Sequence, residues 1–198
     1  MKFTSSILAF GLFALAASSP MPKKKAASST TSAAAAATSS ASAATGTAVA
    51  AAAASGGSVL TASDYNTFQI SSGTAGSAEA EANALFANID QTNLAGVSAS
   101  DLKIIQGIHD VAEDAETDAF NPAIAAASGD AATALQNGKI KNKVLKLTAE
   151  VLGIQVKAAQ GGDDSDLAAE QTKLANNIKL DTAASGQVST AVSFTGTS

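Results

Sequence analysis

Residues 139–160 read KIKNKVLKLTAEVLGIQVKAAQ, and this stretch decides the fold that the sequence predicts. On a helix that turns about 100° per residue, its apolar side chains form two stripes on nearly opposite sides. The first stripe contains Ile140, Val144, Leu147, Val151, Ile154 and Ala158, and the second contains Leu145, Leu152, Val156 and Ala159. A helix that is apolar on two sides is buried on two sides. The stretch therefore predicts the central helix of a bundle, unless one stripe faces a ligand or a partner.

Helix signals continue on both sides of this stretch. Ser98 and Asp101 have the spacing of a capping-box variant, and the helix that they begin should run to Phe120. Asn121-Pro122 predicts a new N-terminus, because proline lacks an N–H that the first helical turn leaves unbonded anyway. Further signals predict caps at Ser63, Asp130, and Asp163 or Ser165, and breaks at Gly129, Asn137-Gly138 and Gly161-Gly162.

These segments predict an all-α fold, a four- to five-helix bundle with short loops around a central helix. The predicted parts are a signal peptide at 1–17, a low-complexity disordered linker at 18–61, a helical bundle domain at 62–185 and a Ser/Thr-rich tail at 186–198. After the lysines at 23–25 the linker is almost wholly Ala, Ser, Thr and Gly, which is typical of a disordered arm and also permits an O-glycosylated stalk. The tail is either an extended segment packed on the bundle or a loose end.

The N-terminus has the pattern of a secretory signal. Lys2 is followed by a short apolar run at 7–16, and within Ala14-Leu15-Ala16 the two alanines supply small side chains for cleavage. This run is too short to cross a bilayer of about 30 Å as a helix. The lysines at 23–25 are either a processing site or a solvated cluster. The C-terminus has no hydrophobic tail that would signal a GPI anchor, so we expect a secreted protein without a transmembrane segment.

The folded part is acidic. From Asp64 onward it carries seventeen carboxylates against eight lysines, a net charge of −9, and the chain has no arginine. Binding to nucleic acid is therefore not expected, because basic groups must replace the phosphate counterions. Binding to an anionic membrane surface is not expected either, because the acidic domain would be repelled by it. The chain also has no cysteine, which excludes thiol catalysis, thiolate metal sites and disulfides.

Few residues are candidates for chemistry. His109 is the only histidine, with Glu113 one helical turn further along, and it is either a general base oriented by Glu113 or an interfacial histidine paired with a carboxylate. No Gly-x-Ser-x-Gly turn supplies a catalytic serine. Residues 163–166, DDSD, resemble a calcium loop superficially but lack its closing glutamate, and the helix dipole explains them better. We therefore expect no catalytic residue, metal or cofactor, and no enzyme.

Three segments resemble a known family. They are residues 63–86, 115–124 and 135–147, and their most specific motifs are DAFNP at 118–122 and NGK at 137–139. The chain resembles ascomycete fungal small secreted proteins, a family of uncharacterised function. The resemblance implies a fungal source and an extracellular or wall-associated location, and it carries no catalytic residues. In layout alone the chain is also similar to fungal hydrophobic-surface-binding proteins and cell-wall galactomannoproteins, some of which take up lipids.

The expected function is that of a non-enzymatic secreted fungal protein, cell-wall or extracellular, that binds a lipid, another apolar ligand or a hydrophobic surface. The candidate contact face is the second stripe, namely Leu145, Leu152 and Val156. The alternative is a secreted effector that binds a host or wall protein. Ligand binding predicts a buried apolar cavity, whereas partner binding predicts an exposed apolar patch.

Overall fold

The computed structural model describes residues 57–198, which form the predicted all-α bundle. Its α-helices are α1 Tyr65–Phe68, α2 Ala78–Leu85, α3 Ala99–Ala115, α4 Asn121–Ala126, α5 Gly129–Ala159 and α6 Leu167–Ala183. Two short strands, β1 at Gly73–Thr74 and β2 at Val188–Ser189, pair antiparallel. Within residues 57–198, no helix has the length and apolarity that a membrane span requires. The predicted signal peptide, residues 18–56 of the predicted linker and the lysines at 23–25 lie outside the described residues.

Helix α5 is the central helix, and it packs against α2, α3 and α6. Both predicted stripes contribute buried side chains, namely Val144, Leu147 and Val151 from the first and Leu145, Leu152 and Val156 from the second. The core around them also contains Tyr65 and Phe68 of α1, Phe86 after α2, and Ile105 and Ala112 of α3. The two-stripe pattern thus reflects burial between helices, as predicted for a central helix.

The predicted interruption of this helix at Asn137-Gly138 is wrong, because α5 runs without a break through both residues. A β-carbon at Gly138 would overlap the carbonyl oxygen of Thr190, so the missing side chain makes room for the C-terminal tail. Asn137 Nδ2 donates to the Val188 carbonyl oxygen at 2.9 Å and holds the same tail segment. Glycine inside a helix costs about 1 kcal/mol relative to alanine, and the packing of the tail offsets this cost.

Helix α4 begins at Asn121 with Pro122 in its first turn, as predicted, but the predicted N-cap at Asn121 is wrong because the chain is already helical before it. The chain continues from α3 through a π-helical segment, Glu116–Phe120, directly into α4. Asn121 N donates to the Glu116 carbonyl oxygen, so this hydrogen bond spans five residues instead of four. Pro122 has no N–H and its ring crowds the preceding turn, and the wider π turn accommodates both defects. The Asn121 side chain does not cap, but accepts a hydrogen bond from Lys139 Nζ at 2.6 Å.

Two predicted helix ends are confirmed by their hydrogen bonds. Ser98 caps α3, because its Oγ accepts from Asp101 N at 3.0 Å. Helix α5 ends before Gly161-Gly162, where Gly161 has a φ of 89° and Gly162 N donates to Lys157 O at 2.8 Å. The other predicted N-caps are wrong by a few residues, since the N-cap residues of α1, α5 and α6 are Asp64, Ser128 and Asp166.

The tail at 186–198 is extended and packs on the bundle. Its hydrogen bonds include Thr190 N to Ala134 O at 2.9 Å, Tyr65 N to Gly196 O at 2.9 Å and Ser198 N to Ser63 O at 3.1 Å. The residues before α1 are held as well, because the Asp101 carboxylate accepts from Val59 N at 3.0 Å and from Leu60 N at 2.8 Å. Ser198 lies against Gly107, so both ends of the described chain contact α3.

Candidate functional site

The predicted contact face lies in the interior of the bundle. Leu145 and Val156 have no exposed surface, and Leu152 retains only 5% of its surface. These three side chains therefore do not form an open face on the described structure. Leu152 alone among them also borders an open cleft, and that cleft is the candidate ligand site.

The cleft lies between the end of α2, the central helix α5 and helix α6. Its volume is about 370 Å³, and we call it the amide cleft after the side chains at its rim. Its floor consists of the buried side chains Phe86, Ile89, Val151 and Leu152, with half-buried Leu174 beside them. Its rim consists of Asn83, Gln91, Thr148 and Gln155, and Ala87 completes the lining. None of the lining residues carries an ionisable side chain.

The local sequence after α2 explains how the floor is made on this side. Two successive turns follow the helix, closed by hydrogen bonds from Phe86 N to Asn83 O at 3.1 Å and from Ile89 N to Phe86 O at 3.0 Å. These turns bring Phe86 and Ile89 into the core cluster that surrounds α5. Because the chain turns within a few residues, the exposed amide of Asn83 and the buried ring of Phe86 border the same cleft.

The α5 side of the cleft comes from one helical face. It consists of Thr148, Val151, Leu152 and Gln155. Residues that lie three and four positions apart share a face of a helix, so this spacing was visible in the sequence. Thr148 Oγ1 already donates to the Val144 carbonyl oxygen at 2.8 Å, whereas the three rim amides bond to no other described residue. Sequence reasoning missed the site because the turns after α2 meet this face only in the folded chain.

A second cleft, of about 480 Å³, lies between α3 and α5 beside His109. The His109 Nδ1 atom lies 2.9 Å from Asp110 Oδ1, and Nε2 lies 3.5 Å from both Glu113 Oε2 and Glu150 Oε2. The structure thus brings together His109 and Glu113, as their spacing indicated, and adds two further carboxylates. Both ring nitrogens therefore lie beside carboxylates of the protein, which is the arrangement of a histidine paired with carboxylates between two helices.

An acidic pair lies next to His109. Burial raises the pKa of Glu150, the charge of His109 opposes this shift, and the negative charge of Glu170 on α6 adds to it. Glu170 is 7% exposed, and its Oε1 accepts from Lys173 Nζ at 2.6 Å. Its buried Oε2 has no hydrogen-bond donor among the described residues. Glu150 therefore binds a proton more readily than an ordinary glutamate does.

A separate ion cluster joins the π segment to α5. Glu116 Oε2 lies 3.1 Å from Lys146 Nζ, and Glu116 Oε1 lies 3.6 Å from Lys139 Nζ and 3.8 Å from Lys143 Nζ. Burial alone would raise the pKa of Glu116, but the three lysine charges outweigh burial and lower it. The cluster therefore stabilises the ionised carboxylate and fastens the wide π turn to the central helix.

The two motifs most specific to the family resemblance contact each other beside this cluster. Phe120 is fully buried, and its Cε1 atom lies 3.2 Å from the position that a β-carbon on Gly138 would take. Asn121 accepts the hydrogen bond from Lys139 already described. Residues 118–122 and 137–139 thus form one packing unit that joins the π segment, α5 and the tail, so their role in this chain is structural.

No group of three or more histidine, aspartate or glutamate side chains in residues 57–198 is arranged to hold a metal ion. In the acidic loop before α6, Asp163 accepts from Ser165 N at 3.1 Å and from Ser165 Oγ at 2.7 Å. These bonds close a local turn, which is a common use of an aspartate in a loop.

Comparison with known proteins gives one match. A family model described as a domain of unknown function (DUF8454) matches residues 60–193, which covers the helical bundle and most of the tail. The match is consistent with membership of a family of uncharacterised function, which is the part of the predicted resemblance that it supports. No curated protein and no solved structure matches this chain.

Proposed function

This chain belongs to the DUF8454 family, whose description gives no function, and from its structure we propose a non-enzymatic protein that binds a small, largely apolar ligand. The amide cleft is the observation that carries the proposal. Its volume of about 370 Å³ falls in the range of small-molecule sites in proteins, roughly 300–1,000 Å³. The buried apolar side chains of its floor offer the surface that an apolar body would cover.

The proposal includes a place of action outside a fungal cell, in the wall or the surrounding medium. The signal-like pattern of residues 1–17 and the resemblance to ascomycete small secreted proteins support this location. Because the site is a concave cleft, a small molecule fits it better than an extended hydrophobic surface does.

The alternative function, an effector that binds another protein, requires an exposed apolar patch. The exposed large apolar side chains of residues 57–198 are Val59, Leu180 and Val188. They lie on three separate segments, before α1, in α6 and in β2, and the predicted contact face is buried. These observations favour a small ligand over a protein partner.

The surroundings of His109 support the non-enzymatic aspect of the proposal. Its ring nitrogens face Asp110, Glu113 and Glu150, and no serine or threonine hydroxyl among the described residues bonds to the ring. A nucleophile–base pair, the minimum for most covalent catalysis, is therefore missing around this histidine.

Titration of the full chain with Nile red, a neutral dye that fluoresces in apolar surroundings, tests the cleft. Ala87 is exposed and lines the cleft, so Ala87→Trp should fill it and weaken dye binding by at least about tenfold. Ala84, three residues earlier, is also exposed but does not line the cleft, so Ala84→Trp is the matched control and should bind the dye like the wild type.

Two results would count against the proposal. Dye binding that saturates but is unchanged by Ala87→Trp would mean that the dye occupies another site. An absence of saturable binding by the wild-type chain, with folding verified by circular dichroism, would overturn the proposed function itself.

A further inference from the structure

The lining of the amide cleft has no charge, although the domain around it is highly charged. Seventeen carboxylates and eight lysines are distributed over the chain from Asp64 onward, yet none of them lines this cleft. The cleft beside His109, in contrast, is bordered by Asp110, Glu150, Lys157 and Asp166. Absence of charge is thus a property of the amide cleft and not of the surface in general.

A ligand with a charged head would be poorly matched to such a lining. A carboxylate or an ammonium that leaves water needs an opposite charge or several strong hydrogen bonds, and without them it loses more solvation than it regains. The lining contains no lysine to pair with an anion and no carboxylate to pair with a cation. The net charge of −9 disfavours an anionic ligand further, because it repels anions at long range.

The rim offers neutral hydrogen-bonding groups in place of charges. Asn83, Gln91 and Gln155 each carry an amide that both donates and accepts hydrogen bonds. None of the three amides is used by another described residue, whereas the hydroxyl of Thr148 already donates within its own helix. Three amides without a hydrogen-bond partner in the described residues lie beside an apolar floor. They match a ligand that has an apolar body and polar groups that both donate and accept hydrogen bonds.

Resting on the proposed function, we infer that the ligand of the amide cleft is a neutral amphipathic molecule whose polar end carries hydroxyl or amide groups. Its apolar body lies on Phe86, Ile89 and Leu152, and its polar end lies at the amide rim. The same lining disfavours fatty-acid anions and cationic amphiphiles.

Displacement of Nile red by three compounds with the same alkyl chain tests this inference. Decanol, decanoate and decylammonium differ mainly in the charge of the head group, so their apolar contribution is held nearly constant. At neutral pH, decanol should displace the dye from the full chain at a concentration at least about tenfold lower than either ion.

A charge introduced at the rim provides a second, independent readout. Gln155→Lys places a cation in the cleft, and lysine and glutamine have similar helix propensity, so the helix should be retained. This variant should bind decanoate about tenfold more tightly than the wild type does, while decanol binding weakens. Gln136 lies on the exposed surface of the same helix and outside the cleft, so Gln136→Lys controls for the change in net charge.

The outcomes separate the inference from the proposed function. Equal displacement by decanol and decanoate, or a gain for decanoate in both lysine variants, would overturn the neutral-ligand inference and leave the binding cleft standing. No saturable dye binding by the wild-type chain would overturn both. Preference for decanol together with a gain confined to Gln155→Lys supports both.

Discussion

Leu145 and Leu152 lie one heptad apart on the same stripe of α5, but their surroundings differ. Leu145 has no exposed surface and lies in the core, whereas Leu152 also borders the amide cleft. Leu145→Ala should therefore leave a closed cavity and lower the free energy of unfolding by about 2–5 kcal/mol. Leu152→Ala should cost less, because it enlarges a space that is already open, and it should change the affinity for Nile red.

Denaturant midpoints and dye titrations of the two variants measure these effects on one helix. The expected pattern is a larger stability loss for Leu145→Ala and a larger change in dye affinity for Leu152→Ala. Equal stability losses with unchanged dye affinity would show that Leu152 is ordinary core and that the cleft does not hold the dye.

Two buried glycines of α5 allow a matched test of tail docking. A β-carbon on Gly138 would overlap the Thr190 carbonyl oxygen, whereas a β-carbon on Gly153 would meet Ile105 Cγ2 at an ordinary 3.7 Å. Gly138→Ala should therefore destabilise the protein by about 1–3 kcal/mol through overpacking. Gly153→Ala should stabilise it by up to about 1 kcal/mol, because alanine favours the helix. The free energies of unfolding should shift in opposite directions, and a stabilising Gly138→Ala would contradict the docked tail.

At the scale of helices, two glutamates have pKa values shifted in opposite directions, Glu116 of the π segment and Glu150 of α5. The pKa of Glu116 is lowered, so its contribution to stability is present above the pKa of an unfolded glutamate, about 4.3, and is lost as pH falls through the folded-state value. The pKa of Glu150 is raised, so its contribution is present below the unfolded value and is lost as pH rises through the folded-state value.

The two glutamate-to-glutamine variants should therefore differ in sign at neutral pH. Glu116→Gln should lower the free energy of unfolding, because it removes a carboxylate that three lysines stabilise. Glu150→Gln should raise it, because glutamine replaces a carboxylate whose ionisation is opposed in the folded state. Urea midpoints from about pH 3 to pH 8 measure both effects, and a destabilisation by Glu116→Gln that persists unchanged in acid would contradict the ion cluster.

The junction of α3 and α4 shows the limit of local signals for an element. Asn121-Pro122 is a typical helix start, and a prediction from those two residues places a new cap there. In the folded chain, Phe120 is buried against Gly138, and Lys139 Nζ donates a hydrogen bond to the Asn121 side chain. Because that side chain is then not free to cap a helix, continuation of the helix is favoured. Whether Asn121 caps a new helix or continues the old one depends on a small difference in free energy. Contacts with residues distant in sequence decide it, and the two residues themselves do not reveal those contacts.

For the whole molecule, the fold class was predictable because α5 is long and its pattern is strong. A helix with two apolar stripes has to be surrounded, and that requirement alone predicts a bundle with a central helix. The predicted break at Asn137-Gly138 was wrong because the free-energy cost of a glycine in a helix is small. A glycine penalty of about 1 kcal/mol is small beside the packing of a whole tail segment, which the sequence does not reveal.

The candidate site was only partly predictable. Leu152 was among the residues named from the sequence, and the spacing of Thr148, Val151 and Gln155 with it was visible in the central stretch. The residues that turn this face into a cleft lie about sixty positions earlier, in turns after α2 that have no periodicity. His109 shows the same limit. Its partner Glu113, one turn away on the same helix, was predictable, whereas its partner Glu150 on α5 was not.

The pairing of Ser63 with Ser198 has a mechanical consequence. Asp64 and Thr197 form an antiparallel bridge beside this pair, so tension applied between residues 62 and 198 would load the pairing from its open end. Hydrogen bonds loaded in this way break in succession, as in unzipping, instead of resisting together. The tail would peel back toward Asn137-Gly138 before any load reached α5, so the outer segment would yield at low force while the core stayed closed.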